Sequence, residues 1–143
     1  MGSVPQRARD GSSGSFVALP VVESLDEVPY HAAIPEIERL VFPGMPFLTS
    51  VHRVVDASER DRDYCQPHLH SDEVELNLFL GTTDDFRFRV TIDGTEHILG
   101  PVAALLIPAA EKHAANVISG SGYYVVLKAP EVGSANGRPS PLD

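Results

Sequence analysis

Three histidines and a glutamate carry the chemistry this sequence can offer. His68 and His70 flank a single residue in Pro67-His68-Leu69-His70-Ser71-Asp72-Glu73-Val74-Glu75. In a β-strand, residues two apart share a face and stand roughly 7 Å apart along it, so both imidazoles can be presented to one point. That is a common way for β-structure to offer two nitrogen ligands to a metal. Glu75 follows His70 by five residues, an odd separation that places it on the opposite face of an unbroken strand. Ser71 and Asp72 must therefore turn or bulge the chain if Glu75 is to point the same way, and both residue types suit a turn. Glu73 is the rival carboxylate. In a second segment, Ile107-Pro108-Ala109-Ala110-Glu111-Lys112-His113-Ala114-Ala115-Asn116, a Pro-led turn delivers His113 to the start of another strand. If that strand crosses near the first, His113 completes a set of three neutral imidazoles and one carboxylate. Such a set suits one divalent Fe, Mn, Co, Ni or Zn ion, and three nitrogens disfavour calcium or magnesium.

Several side chains can line the same cavity. Tyr64 and Gln66 share strand parity with His68 and His70. Asn77 shares parity with Glu75 and can orient that carboxylate or a substrate oxygen. With Glu75, Tyr64 and Asn77 are the candidate catalytic residues. Either His52 or Arg53 can reach the pocket, and of Tyr123 and Tyr124 one points in and one out. Arg87 and Arg89 read as a solvated face, the sharper reading being an anchor for an acidic substrate. His31 and His97 read as surface histidines, and Cys65 as a half-buried small hydrophobe.

The elements that must position these residues read as strands and turns. Residues 47–55 are β-branched and apolar, and residues 56–63 form a charged loop. Residues 64–70 alternate. In residues 74–80 the set Val74, Leu76, Leu78 and Leu80 opposes Glu75, Asn77 and Phe79. Residues 86–92 alternate as well, and Asp93-Gly94 is the pair favoured in two-residue hairpins. Strands are predicted over residues 95–99, 102–107, 112–118 and 123–129, with Ser119-Gly120-Ser121-Gly122 as a turn. The only helix signal spans residues 34–41, with Pro35 in the first turn, Glu36 and Glu38 early, Arg39 late, and Pro43-Gly44 after it. Many short strands at regular spacing predict an all-β barrel or double-sheet jelly roll with one short N-terminal helix.

At this point the chain resembles a known family. His68-Leu69-His70 with Glu75 and then Gly81 looks like the first motif of the cupins, and Pro108, Ala110, His113 and Asn116 look like the second. The resemblance covers about residues 47–129. It departs in the absence of a glycine near Arg62, in Ala110 where the family usually has glycine, and in Asn116 coming one residue early. The resemblance implies a cupin-type conserved β-barrel, metal ligands His68, His70, Glu75 and His113, and pairing into homodimers.

Composition bounds the rest. The 143 residues suit one domain, read as residues 16–130 between a flexible N-terminal arm (1–15) and a flexible C-terminal tail (131–143). At 43% hydrophobic residues the chain is not intrinsically disordered. A net charge of −9 opposes nucleic-acid partners and anionic membranes. No apolar run approaches the roughly 20 residues of a membrane span. A single cysteine and no signal-like stretch suggest the cytoplasm. The expected function is a metal-dependent enzyme acting on a small oxygen-bearing metabolite. With Fe(II) it is a dioxygenase. With Zn, Mn or Ni it is a Lewis-acid isomerase or lyase. The remaining alternative is a ligand-binding cupin without catalysis.

Overall fold

The computed structural model describes residues 14–131, in which eight strands run antiparallel. The expected arm and tail lie outside the described residues, apart from residues 14, 15 and 131. The strands are β1 (Val21–Glu23), β2 (Ile37–Val41), β3 (Leu48–Ala57), β4 (Glu73–Gly81), β5 (Arg87–Ile92), β6 (Thr95–Leu99), β7 (Val102–Ile107) and β8 (His113–Pro130). Their hydrogen-bonded order is β1-β2-β3-β8-β4-β7, with β5 joined to β8 and β6 to β5. β8 belongs to both layers. Its first part, from His113 to Ser119, pairs with β5, and its remainder lies between β3 and β4. The sheet folds over as a jelly roll and does not close into a barrel, because β1, β6 and β7 each keep an open edge.

Two local expectations are corrected. Residues 34–41 are not a helix. Residues 35–36 make a turn, and Ile37–Val41 is a strand paired with β3 from Ile37↔Val54 to Val41↔Ser50. The helix cues there are weak local preferences over about two turns, and an isolated helix that short is marginal. Completing the β3 edge satisfies a whole strand of backbone groups and buries Arg39. The only helix among the described residues is a 3₁₀ turn at Leu25–Glu27, with Leu25 buried. Nor is Ser119-Gly120-Ser121-Gly122 a turn: β8 runs straight through it for 18 residues. Its glycines are needed for close passage. A Cβ on Gly120 (φ +84°) would meet the Phe86 backbone at 2.7 Å, and one on Gly122 would meet the Leu80 carbonyl at 2.5 Å.

The Asp93-Gly94 hairpin forms as expected, both residues having positive φ, which suits the twist of the flanking strands. On β4 the inner face carries Glu75, Asn77 and Phe79, all buried. Across the ladder they oppose Lys128, Val126 and Tyr124 of β8. The interior is therefore graded, from charged side chains at one end to aromatic rings at the other. Phe79, Phe88 and Tyr124 pack with ring centroids 4.8 to 5.1 Å apart, and Phe86 and Phe88 at 5.5 Å. Each fully buried ring contributes about 2–3 kcal/mol by burial, so this end anchors the polar end.

The leucine face of β4 points outward. Across the sheet, Val22, Leu40, Val51, Val125, Leu78 and Ala104 fall in register in one row. No helix of the described residues is long and apolar enough to cross a membrane.

Candidate metal centre

The segment before β4 is held to the rest of the protein by individual bonds. His68 and His113 face each other in a single antiparallel bridge, each backbone N–H donating to the other's carbonyl at 2.9 and 2.8 Å. The Asn116 side chain clamps Cys65 from both sides: its Oδ1 accepts from the Cys65 N–H and its Nδ2 donates to the Cys65 carbonyl, both at 3.0 Å. The Ala110 N–H donates to the His70 carbonyl at 2.7 Å. The chain then bends at Ser71 and Asp72 before β4 begins at Glu73. This bend supplies the break in parity that an inward Glu75 requires.

The result is convergence. One ring nitrogen from each of His68, His70 and His113 lies within 4.8 Å of the other two. Glu75 Oε1 is 3.3 Å from His113 Nε2 and 3.5 Å from His70 Nε2. Two donors each about 2.1 Å from a shared ion stand about 3.0 to 3.4 Å apart, so the two Glu75 distances suit one shared ion. Glu73 reaches only His70, at 3.9 Å from Nδ1, and is more exposed than Glu75.

The protonation pattern also suits a cation. Nδ1 of His68 lies 2.7 Å from the Gln66 carbonyl, and Nδ1 of His113 lies 2.9 Å from the Glu111 carbonyl. A carbonyl can only accept, so in both rings Nδ1 carries the proton and Nε2 offers its lone pair. His113 Nε2 is buried without a hydrogen-bond partner. In the neutral ring that lone pair faces the Glu75 carboxylate, and two acceptors so close need a proton or a metal ion between them. The pKa directions agree. Burial would lower that of His113, but the Glu75 carboxylate and the Glu111 carbonyl outweigh it and raise it. Burial would raise that of Glu75, yet the adjacent His113 ring and the Asn77 amide bring it down to about 2. His70 is pushed down to about 4, by burial first and then by the Lys128 charge, and His68 is lowered by burial. His68 and His70 are thus neutral, and Glu75 ionised, at neutral pH, the states that bind metals.

The remaining candidates divide. Asn77 is fully buried and donates to Glu75 Oε2 at 2.8 Å, which fixes that carboxylate. The Tyr64 ring borders the cavity, but its hydroxyl accepts from the Val117 N–H at 3.0 Å. His52 points in and Arg53 out, where it pairs with Glu38; likewise Tyr124 points in and Tyr123 out. Arg89 pairs with Asp63 at 2.7 Å and Arg87 caps backbone carbonyls, so neither faces the cavity. His31 is not a surface histidine: it borders the cavity and meets the His68 ring edge-on at 5.7 Å. Among the polar residues that border the cavity, Arg39, Ser50 and Lys128 were also not expected. Arg39 was obscured by its placement in a helix. Lys128 shares parity with Tyr124, a signal that becomes readable once the inner face of β8 is known.

No protein-family model matches the chain, and no curated protein matches it by sequence. Solved structures do match in fold. KdgF from Halomonas sp. is 19% identical with a TM-score of 0.54, over 83% of this chain and 96% of that one. An RmlC-like cupin from Shewanella frigidimarina is 14% identical with a TM-score of 0.53, over 85% and 94%. A predicted oxalate decarboxylase from Thermotoga maritima is 11% identical with a TM-score of 0.51, over 80% and 94%. The shared feature is the jelly roll of a small cupin.

Proposed function

We propose that this cupin-fold chain is a metal-dependent enzyme acting on a small oxygen-bearing metabolite, with His68, His70, His113 and Glu75 as the metal ligands and Fe(II) dioxygenation as its reaction. The observation that carries the reading is the set of three ring nitrogens within 4.8 Å of one another, beside a buried Glu75 that His113 Nε2 faces without a hydrogen bond. An Fe(II) ion held there supplies the redox chemistry of a dioxygenase, and a Zn, Mn or Ni ion the Lewis acidity of an isomerase or lyase. The backbone carbonyls of Gln66 and Glu111 hold two of the rings with Nε2 outward, and Asn77 holds Glu75. The cavity is small, about 40 Å³, which suits a small metabolite and not a polymer.

The Lewis-acid reading is favoured by one feature. His52 is buried at the cavity wall with Nδ1 unpartnered, and a neutral imidazole is a proton acceptor such reactions need. Oxygen consumption by the Fe(II)-loaded chain with 1,2-diols, thiols and catechols separates the two. Uptake with any of them supports the dioxygenase; turnover only without oxygen uptake, in the Zn-, Mn- or Ni-loaded chain, replaces it with the second reading. Metal analysis of variants tests the ligands. His68→Ala and His113→Ala lose most of the metal, Glu75→Ala loses less because three nitrogens remain, and Glu73→Ala is near neutral. Full metal content in both histidine variants overturns the assignment.

A further inference from the structure

We propose that the cavity recognises a small carboxylic acid bearing a neighbouring hydroxyl or keto oxygen, with Lys128 and Arg39 as the residues that select the negative charge. The inference rests on the metal reading above, because chelation is what brings the acid beside these side chains.

Both cations project from the inner face of the sheet and border the same cavity as His68, Glu75 and His113. Arg39, on β2, is 7% exposed and sits across the ladder from His52. Its Nη1 is bonded to Glu23 on the neighbouring β1, whose side chain is 43% exposed. A guanidinium carries five donors in a planar fork, so this one contact leaves it capable of receiving a second carboxylate. Lys128, on β8, stands directly across from Glu75 of β4. It is ion-paired to no carboxylate among the described residues, and its Nζ lies 3.5 Å from His70 Nε2.

That contact with His70 cannot persist once His70 Nε2 ligates a cation. The lone pair is then taken, and the ammonium and the ion repel. Lys128 must turn its three donors elsewhere within reach of the same cavity. With a divalent ion in place, the ion, Arg39 and Lys128 supply four positive charges and Glu75 and Glu23 two negative ones, an excess of two in a chain whose overall charge is −9. Excess charge in a partly desolvated cavity is costly unless a counter-ion enters. A carboxylate with an adjacent oxygen meets both demands: its oxygens chelate the ion and also accept from Lys128. Arg87 and Arg89, the sequence's more obvious acid anchors, are occupied on the other side of the protein wall.

The test is isothermal titration of the full-length, Co(II)-loaded chain with glycolate and with its neutral amide, glycolamide. Glycolate is expected to bind at least about tenfold more tightly, the scale of one charge-assisted hydrogen bond. Lys128→Met is expected to lose about that tenfold preference, to bind glycolamide as the parent does, and to keep its cobalt. Lys128→Arg keeps the preference, which guards against a folding artefact. Equal affinity for the two probes, or an unchanged preference in Lys128→Met, overturns the proposal. The same titrations on the ion-free chain separate the two ideas: a chain that takes up no cobalt yet still prefers glycolate through Lys128 keeps the anion site and refutes the metal centre.

Discussion

Asn116→Ala removes the side chain that holds Cys65 against β8 and, three residues on, sets the position of His68. Its amide orientation is fixed by its partners, since a backbone N–H needs Oδ1 and a carbonyl needs Nδ2. Both bonds are buried, and each backbone group left unpaired costs about 1–3 kcal/mol. Some of that is recovered by water entering the vacated space, so a total loss of about 2–4 kcal/mol is expected. His68 is not set free, because its reciprocal bonds with His113 and the Tyr64–Val117 bond remain. Metal affinity is therefore expected to fall about tenfold, the lower end of what loss of a ligand-orienting residue produces. Urea unfolding followed by far-UV circular dichroism gives the first quantity, and Co(II) titration the second. Asn116→Asp presents an acceptor to the Cys65 carbonyl and should be at least as damaging. Stability within about 0.5 kcal/mol of the parent, the range of an ordinary surface change, together with unaltered cobalt affinity, would refute the clamp.

Three further outcomes follow from the same structure. His52 is held neutral, its pKa pushed down to about 3 by burial and then by the Arg39 charge. The unfolded chain takes up that proton near pH 6.5, so stability is full above this pH and falls on acidification towards pH 3, by about 5 kcal/mol at most. His52→Asn should flatten that slope in urea titrations from pH 7 to 4, and an unchanged slope would contradict it. Burial pushes the Cys65 thiol up to about 11, so the native chain should resist iodoacetamide at pH 8 and react once unfolded in urea; fast native alkylation would show the thiol to be accessible. The homodimer that the resemblance implies is expected to use the aliphatic outer row through Leu78 and Val125, since an uncharged face lets two acidic copies meet. Sedimentation should show a dimer that Val125→Glu converts to a monomer, and a monomeric parent chain would dispose of it.

The clustered histidines were legible because their signals are local. The two-residue period of a strand places His68 with His70, and the Ile107-Pro108 turn announces His113. Glu75 was legible only as a condition, that the chain break at Ser71 and Asp72, and it does. The arginine and lysine of the cavity were hidden by non-local causes. Arg39 was lost because residues 34–41 carry helix cues while their state is set by pairing with the edge of the next strand, β3, and not by those local cues. Lys128 was lost because alternation gives two faces and does not say which is inside. On β4 it is the face with Glu75 and Asn77, not the leucines, that turns inward. Gly120 and Gly122 read as a turn because glycine marks both turns and close approach, and only the packed Phe86 and Leu80 distinguish the two.

Anomalous diffraction from crystals of the full chain grown with Fe(II) or Zn(II), collected on both sides of the metal edge, bears most directly on the central assignment. It should give one peak per chain, about 2.0–2.2 Å from a ring nitrogen of each of His68, His70 and His113. A map with no peak among those rings, or with its peak ligated elsewhere, would contradict it.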